Sequence, residues 1–168
     1  MAASFITYTD HGVAESSALL ATNYGDHIMH LKAMDDIDNG SFVAVGDFVA
    51  GDVWKAKKAA TTDRVCLVLS VPLIYEEFSP RAQEEANFYN AEGDVMRCYV
   101  LDQYDRFALS KDAFKVPTDA AVGKYISVSG SDYKCVVSAN APQDAAFVGF
   151  IYDVASNGNF RILVLKNA

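Results

Sequence analysis

AFVGFIYDVASNGNFRILVLKN, residues 146–167, decides the class of this fold. Runs rich in Phe, Ile, Val and Leu lie on either side of Asn157-Gly158. That dipeptide between two such runs is a strong hairpin signal, because both residues tolerate the left-handed backbone of a tight turn. The stretch before it, GKYISVSGSDYKCVVSA (123–139), repeats the arrangement. Tyr125, Ser127 and Ser129 alternate with Ile126 and Val128, and Gly130-Ser131-Asp132 turns the chain. A period of two is the mark of a half-buried strand.

Further upstream the pattern continues. DVMRCYVL (94–101) and RFALS (106–110) read as strands around a turn at Gln103-Tyr104-Asp105, and SKDAF makes a single helical turn. RVCLVLSVPLIY (64–75) reads as a buried strand ended by Pro72, which has no N–H for a central ladder. SFVAVGDFVAGDVWKA (41–56) gives two short strands around Gly46-Asp47 or Gly51-Asp52, and Asn39-Gly40 suits a type I′ turn. Gly51-Asp52-Val53 recurs as Gly93-Asp94-Val95. Gly-Asp opening a strand after a turn accounts for this without duplication. One short helix is expected, with Ser79 as N-cap, Pro80 in the first helical position and RAQEEANFY (81–89) as its body. The class is therefore mainly β: a small barrel or sandwich with one short helix.

Residues 1–36 differ. SFITYT (4–9) favours a strand, while ALLATNYGDHIMHLKAM (18–34) has no clean period and is interrupted by Gly25. This segment reads as an extended N-terminal arm with short strands, which would need an outside surface to bury its aromatic residues. The expected organisation is an arm at 1–36 and a β-rich domain at 37–168, with a helix-containing lobe near 75–114.

Composition narrows the function. The chain has 168 residues, 51% of them hydrophobic, enough for one compact core. Fourteen basic residues against 22 acidic ones give a formal charge of −8. Phosphate contacts dominate nucleic-acid affinity, so a general nucleic-acid binder is not expected, whereas a basic protein partner would suit a negative surface. The longest apolar stretch, Val65 to Ile74, is too short for a membrane span. The opening MAASFITYTDHG has no basic start and no long apolar run, and is not read as a signal peptide. Cys66, Cys98 and Cys135 are far apart and lie in apolar runs. They read as buried small hydrophobes of a protein assembled in a reducing cytoplasm.

No motif carries obvious chemistry. His27 and His30, with His11 upstream, could be imagined around Zn²⁺, but a spacing of three serves a metal only on a firm helix. DDIDNG (35–40) places Ile37 and Gly46 where a calcium loop needs oxygen ligands, so it reads as a solvated turn. Glu76, Glu77, Glu84, Glu85 and Glu92 read as the solvated face of the expected helix. No nucleophile elbow, phosphate loop or dinucleotide fingerprint occurs. No catalytic residue, metal or cofactor is assigned.

The aromatic residues are more informative. Tyr75, Phe78, Phe88, Tyr89, Tyr99, Tyr104 and Phe107 fall close together in sequence, with Arg81, Arg97 and Arg106 among them. Tyr and Arg together are typical of interface anchors, although rings in a β-fold also serve the core. The run FYNAEGDVMRCYVLDQYDRFALSKDAF (88–114) resembles a turn-and-strand pattern of small bacteriophage head proteins. NGSFVAVGDFV (39–49) and GDVWKAKKAATTDRVCLVL (51–69) are similar to β-barrel modules of phage capsid decoration, or cement, proteins.

That resemblance implies a non-enzymatic virion structural protein, made in the host cytoplasm. It would sit on the outer face of a head and stabilise contacts between major capsid protein subunits, with self-association, as a trimer, also expected. Expected contacts are Phe5, Tyr8 and Tyr24 in the arm, and Tyr89, Arg97, Tyr99, Tyr104 and Arg106 in the lobe. The alternative is a small β-barrel binding a glycan or other small ligand, with Trp54 and Tyr125 or Tyr133 lining a cleft.

Overall fold

The computed structural model describes residues 10–72 and 84–168. They form eleven strands in two sheets. β2 (Ile28–Lys32), β4 (Val53–Lys58), β3 (Phe42–Ala50), β5 (Cys66–Val68) and β6 (Val95–Val100) close into a five-stranded barrel in that order. The second sheet has six strands, in the order β1 (Ala14–Ala18), β7 (Arg106–Leu109), β11 (Phe160–Asn167), β10 (Phe147–Val154), β8 (Tyr125–Ser127) and β9 (Val136–Ser138). Every pair is antiparallel except β2 with β4.

Strand alternation divides the core into two compartments. On β3 and β5, Val43 faces Cys66 and Phe42 faces Leu67 across the ladder. Val43 and Cys66 point into the barrel with Leu31, Ala56, Val68, Met96 and Cys98. Phe42 and Leu67 point the other way, onto Phe107, Leu109, Phe147, Ile151 and Ile162 of the six-stranded sheet. The barrel wall formed by β3 and β5 is thus apolar on both faces. Each fully buried Phe or Leu contributes roughly 1.5–3 kcal/mol. Tyr133 plugs the barrel: its carbonyl accepts the Phe42 N–H at 2.8 Å, and its hydroxyl donates to Asp35 at 2.9 Å.

The 146–167 hairpin forms as read. Its loop closes with the Gly158 N–H on Ala155 O at 2.9 Å, and Gly158 takes φ +86°. This is the three-residue loop in which one glycine adopts the left-handed region. At Asn39-Gly40 only Gly40 has positive φ, and the Ser41 N–H reaches Asp38 O. That is the type II pattern rather than type I′. The two Gly-Asp strand starts also differ. Gly51 is the first central residue of its turn, between paired Ala50 and Val53, whereas Gly93 is the second in its own.

Three expectations need correction. Residues 94–110 are not a hairpin: β6 belongs to the barrel, and β7 lies between β1 and β11 in the other sheet. The segment expected as an arm supplies a strand to each sheet, β1 and β2, and buries Leu19, Ala21, Leu31 and Ala33. Of the helix expected at 81–89, Glu84 is extended and Glu85–Asn87 make one 3-10 turn, while Ser79 and Pro80 lie outside the described residues.

Candidate interaction surface

The inner face of the six-stranded sheet packs on the barrel. Its outer face carries, in one cross-strand row, Tyr125 on β8, Phe150 on β10, Leu163 on β11 and Arg106 on β7, with Ala18 of β1 opposite Arg106. Residues directly opposite on neighbouring strands share a face and touch. Tyr125 and Phe150 stack at 5.2 Å between ring centroids. Tyr125, Phe150 and Leu163 remain half-buried, and Arg106 is exposed. In the next row Glu15, Arg161 and Asp153 are polar around the buried Ala108, with Arg161 bonded to Asp153 at 2.9 Å. An apolar centre beside a charged flank is the usual make-up of a protein contact surface.

Two residues before Arg106 lies the turn that carries the chain from β6 to β7. Tyr104 there has φ +73°, alone among non-glycine residues of the described chain. A bulky side chain with that backbone costs energy and persists only where surroundings over-determine it. Those surroundings are on hand. The Tyr104 N–H donates to Val164 O at 2.8 Å, and the Val164 N–H donates to Asp105 O at 2.9 Å. The buried Asp105 carboxylate accepts from the Leu20 N–H at 2.9 Å and the Asp102 N–H at 2.8 Å. Burial pushes the Asp105 carboxyl above the ordinary aspartate range, and those two backbone donors offset part of the rise. The clamp leaves the Tyr104 side chain 69% exposed.

Beside it, Asp102 accepts from Arg64 at 2.8 Å and meets His27 Nδ1 at 3.2 Å. Tyr24 lies 6.2 Å from the His27 ring and is itself largely exposed, as is part of Leu20. Tyr24 and Tyr104, far apart in sequence, are therefore placed around one cluster.

The other expected contacts scatter. Tyr89 stacks on His11 at 4.9 Å. Arg97 projects from the outer barrel wall, while Tyr99 is half-buried against the inter-sheet core. Arg106 belongs to the sheet row. Phe5 and Tyr8 lie outside the described residues. Sequence reasoning missed Phe150 and Leu163. The available signal was the near-continuous apolar character of β10 and β11, which places apolar residues on both faces of a strand. Trp54 and Tyr125 do not share a cleft. Trp54 packs edge-on against Phe48 at 5.8 Å on the barrel, Tyr125 is on the other sheet, and Tyr133 is buried in its plug.

The polar groups form separate ties. His11 Nδ1 lies 2.7 Å from Asp38, which also accepts from the Gly12 N–H and Lys134. Burial pushes Asp38 up, but the donors from His11, Gly12 and Lys134 outweigh it and hold the carboxyl below its ordinary range. His30 Nδ1 lies 3.0 Å from Asp52. In the 35–40 turn Asp35 serves Tyr133, Asp36 accepts from the Glu92 N–H, and Asp38 serves His11, so the three carboxylates diverge. Among the described residues no group of three or more His, Cys, Asp or Glu could hold a metal ion. All three cysteines are buried, and burial pushes the Cys66 thiol up to about 12 and those of Cys98 and Cys135 upward as well. At neutral pH they stay protonated, and a thiol is a poor nucleophile.

Comparison with protein-family models, with curated proteins and with solved structures gives no match.

Proposed function

We propose that this chain is a non-enzymatic structural protein of a bacteriophage virion. It binds the outer surface of the head and stabilises contacts between major capsid protein subunits. The observation that carries this reading is the sheet row of half-buried Tyr125, Phe150 and Leu163 ending at exposed Arg106, together with the clamped, exposed Tyr104 two residues before Arg106. Large rigid rings beside an arginine are the residues that dominate binding energy at protein interfaces. A backbone held under strain to keep a tyrosine in solvent is difficult to account for by stability alone. The turn-and-strand resemblance of residues 39–69 and 88–114 to capsid decoration proteins supplies the partner.

Co-sedimentation with emptied and filled phage heads, followed by cryo-electron microscopy, tests the reading. The chain is expected to pellet with heads and to place the six-stranded sheet against the capsid. Phe150→Glu should weaken binding about thirtyfold or more, the scale of one hot-spot residue, with an unchanged circular dichroism spectrum. Heads that leave the protein in the supernatant, or a Phe150→Glu variant that binds as well as the parent, would overturn it.

A further inference from the structure

The outer wall of the barrel differs in charge from the rest of this acidic molecule. On β6, β2 and β4 the outward positions are in register: Arg97 beside His30 beside Val53, and Val95 beside Lys32 beside Lys55. Ile28 continues the β2 column. Inward positions alternate with these and are apolar: Met96 and Cys98, Leu31, and Ala56. The face thus holds three permanent or near-permanent cations and a histidine, interleaved with Val95, Val53 and Ile28, and no carboxylate among its seven positions.

Carboxylates are abundant elsewhere, 22 in a chain of formal charge −8. Neighbouring lysines on the same strand have found partners. Lys57 pairs with Asp63 at 3.0 Å, and Lys58 sits 5.3 Å from the centroid of the Tyr133 ring. Lys32, Lys55 and Arg97 have no ion pair among the described residues. Among the described residues, the one carboxylate bonded to the group is Asp52, on His30 and at the hairpin tip. Lys32 and Lys55 line a hollow of about 240 Å³ together with Met34, Val49 and Glu92.

We infer that this β6–β2–β4 face is a docking surface for an acidic, partly apolar polypeptide segment. Charge complementarity selects the acid: like-charged side chains kept adjacent across a ladder repel one another, and an anionic partner relieves that cost. The alternation with Val and Ile selects a polypeptide over a nucleic acid, because half of the face offers apolar contact in place of phosphate contacts. The face lies on the barrel, apart from the sheet row, so it stands or falls independently of the capsid reading.

Fluorescence anisotropy of the full chain tests it with three labelled probes: a peptide of glutamate interspersed with leucine, the same peptide with glutamine for glutamate, and single-stranded oligothymidylate. The glutamate peptide should bind, and weaken as salt rises. The glutamine peptide should not bind. Lys55→Glu with Arg97→Glu should lower affinity about tenfold per site. Lys111→Glu with Lys124→Glu, which changes net charge equally on the other sheet's loops, should leave binding intact. The milder Lys55→Gln with Arg97→Gln pair guards against misfolding and should weaken binding in the same direction. Equal loss in both charge-reversal pairs would reduce the effect to net charge and overturn the inference. So would unaltered binding in the barrel variants, or tighter binding of oligothymidylate than of the acidic peptide.

Discussion

Tyr104 sits in a backbone conformation that a glycine would adopt without cost, since a Cβ in the left-handed region crowds its own carbonyl by about 1–2 kcal/mol. Tyr104→Gly should therefore raise the unfolding free energy by about 1 kcal/mol in urea titration, while reducing binding to phage heads. A variant that loses stability would show that the ring contributes to folding rather than contact. Asp38 gives a pH test. Its folded carboxyl is held below the ordinary value of 3.8, so its stabilisation is complete above that value and is lost as pH falls through the depressed one. Asp38→Asn should cost about 1–3 kcal/mol at pH 7, and the gap to the parent should narrow on acidification below 3.8. A gap that stays constant across that window would place the effect in packing rather than charge.

Strands impose their own constraints on single atoms. β10 passes so close to β8 and β11 that a Cβ at Gly149 would lie 2.7 Å from Ile126 Cγ1 and 3.1 Å from Ile162 Cγ2. Both neighbours are fully buried on the inner face, so Gly149→Ala should destabilise by about 1–3 kcal/mol in a urea titration. Unchanged stability would mean that Ile126 can repack. This close approach is absent from the local sequence, where Phe-Val-Gly-Phe reads simply as a strand with a weak point. The 146–167 hairpin is legible because its turn chemistry and both of its strands are adjacent in sequence. The β6–β7 connection is not. Val95–Val100 and Arg106–Leu109 have the lengths and turn of a hairpin, yet Phe107 finds Ser16 and Ile162 as partners, and Cys98 finds Met29 and Val68. Those choices are made by strands far along the chain. What marks the crossing is Asp105, a buried carboxylate reaching back to Leu20, and no local rule flags such a residue. The candidate surface was legible in the same partial way. Tyr24, Tyr104 and Arg106 are exposed, but the alignment of Arg106 with Leu163 and Phe150 depends on the strand order of the sheet.

At the scale of the whole molecule, the N-terminal segment decides how the two sheets hold together. β2 is the strand that closes the barrel, pairing β4 on one side and β6 on the other, and β1 extends the second sheet beside β7. All three histidines tie the same segment down, His11 to Asp38, His27 to Asp102 and His30 to Asp52. The sequence conceals this because β2 is five residues long and only Met29 and Leu31 face inward, too brief an alternation to stand out beside Gly25. A loose arm would gain protection only on meeting a partner. A closing strand is protected in the free protein, because opening it exposes two strand edges and the barrel core at once. Hydrogen exchange on the isolated chain should thus place the amides of Ile28–Lys32 among the slowest, with those of Val95–Val100. Removing residues 1–32 should yield aggregated or unfolded material, and limited proteolysis should spare 14–32 without any capsid present. Rapid exchange across Ile28–Lys32, or clean cleavage there leaving a folded remainder, would show that the barrel closes without its fifth strand, and that the segment is free to reach a neighbouring subunit.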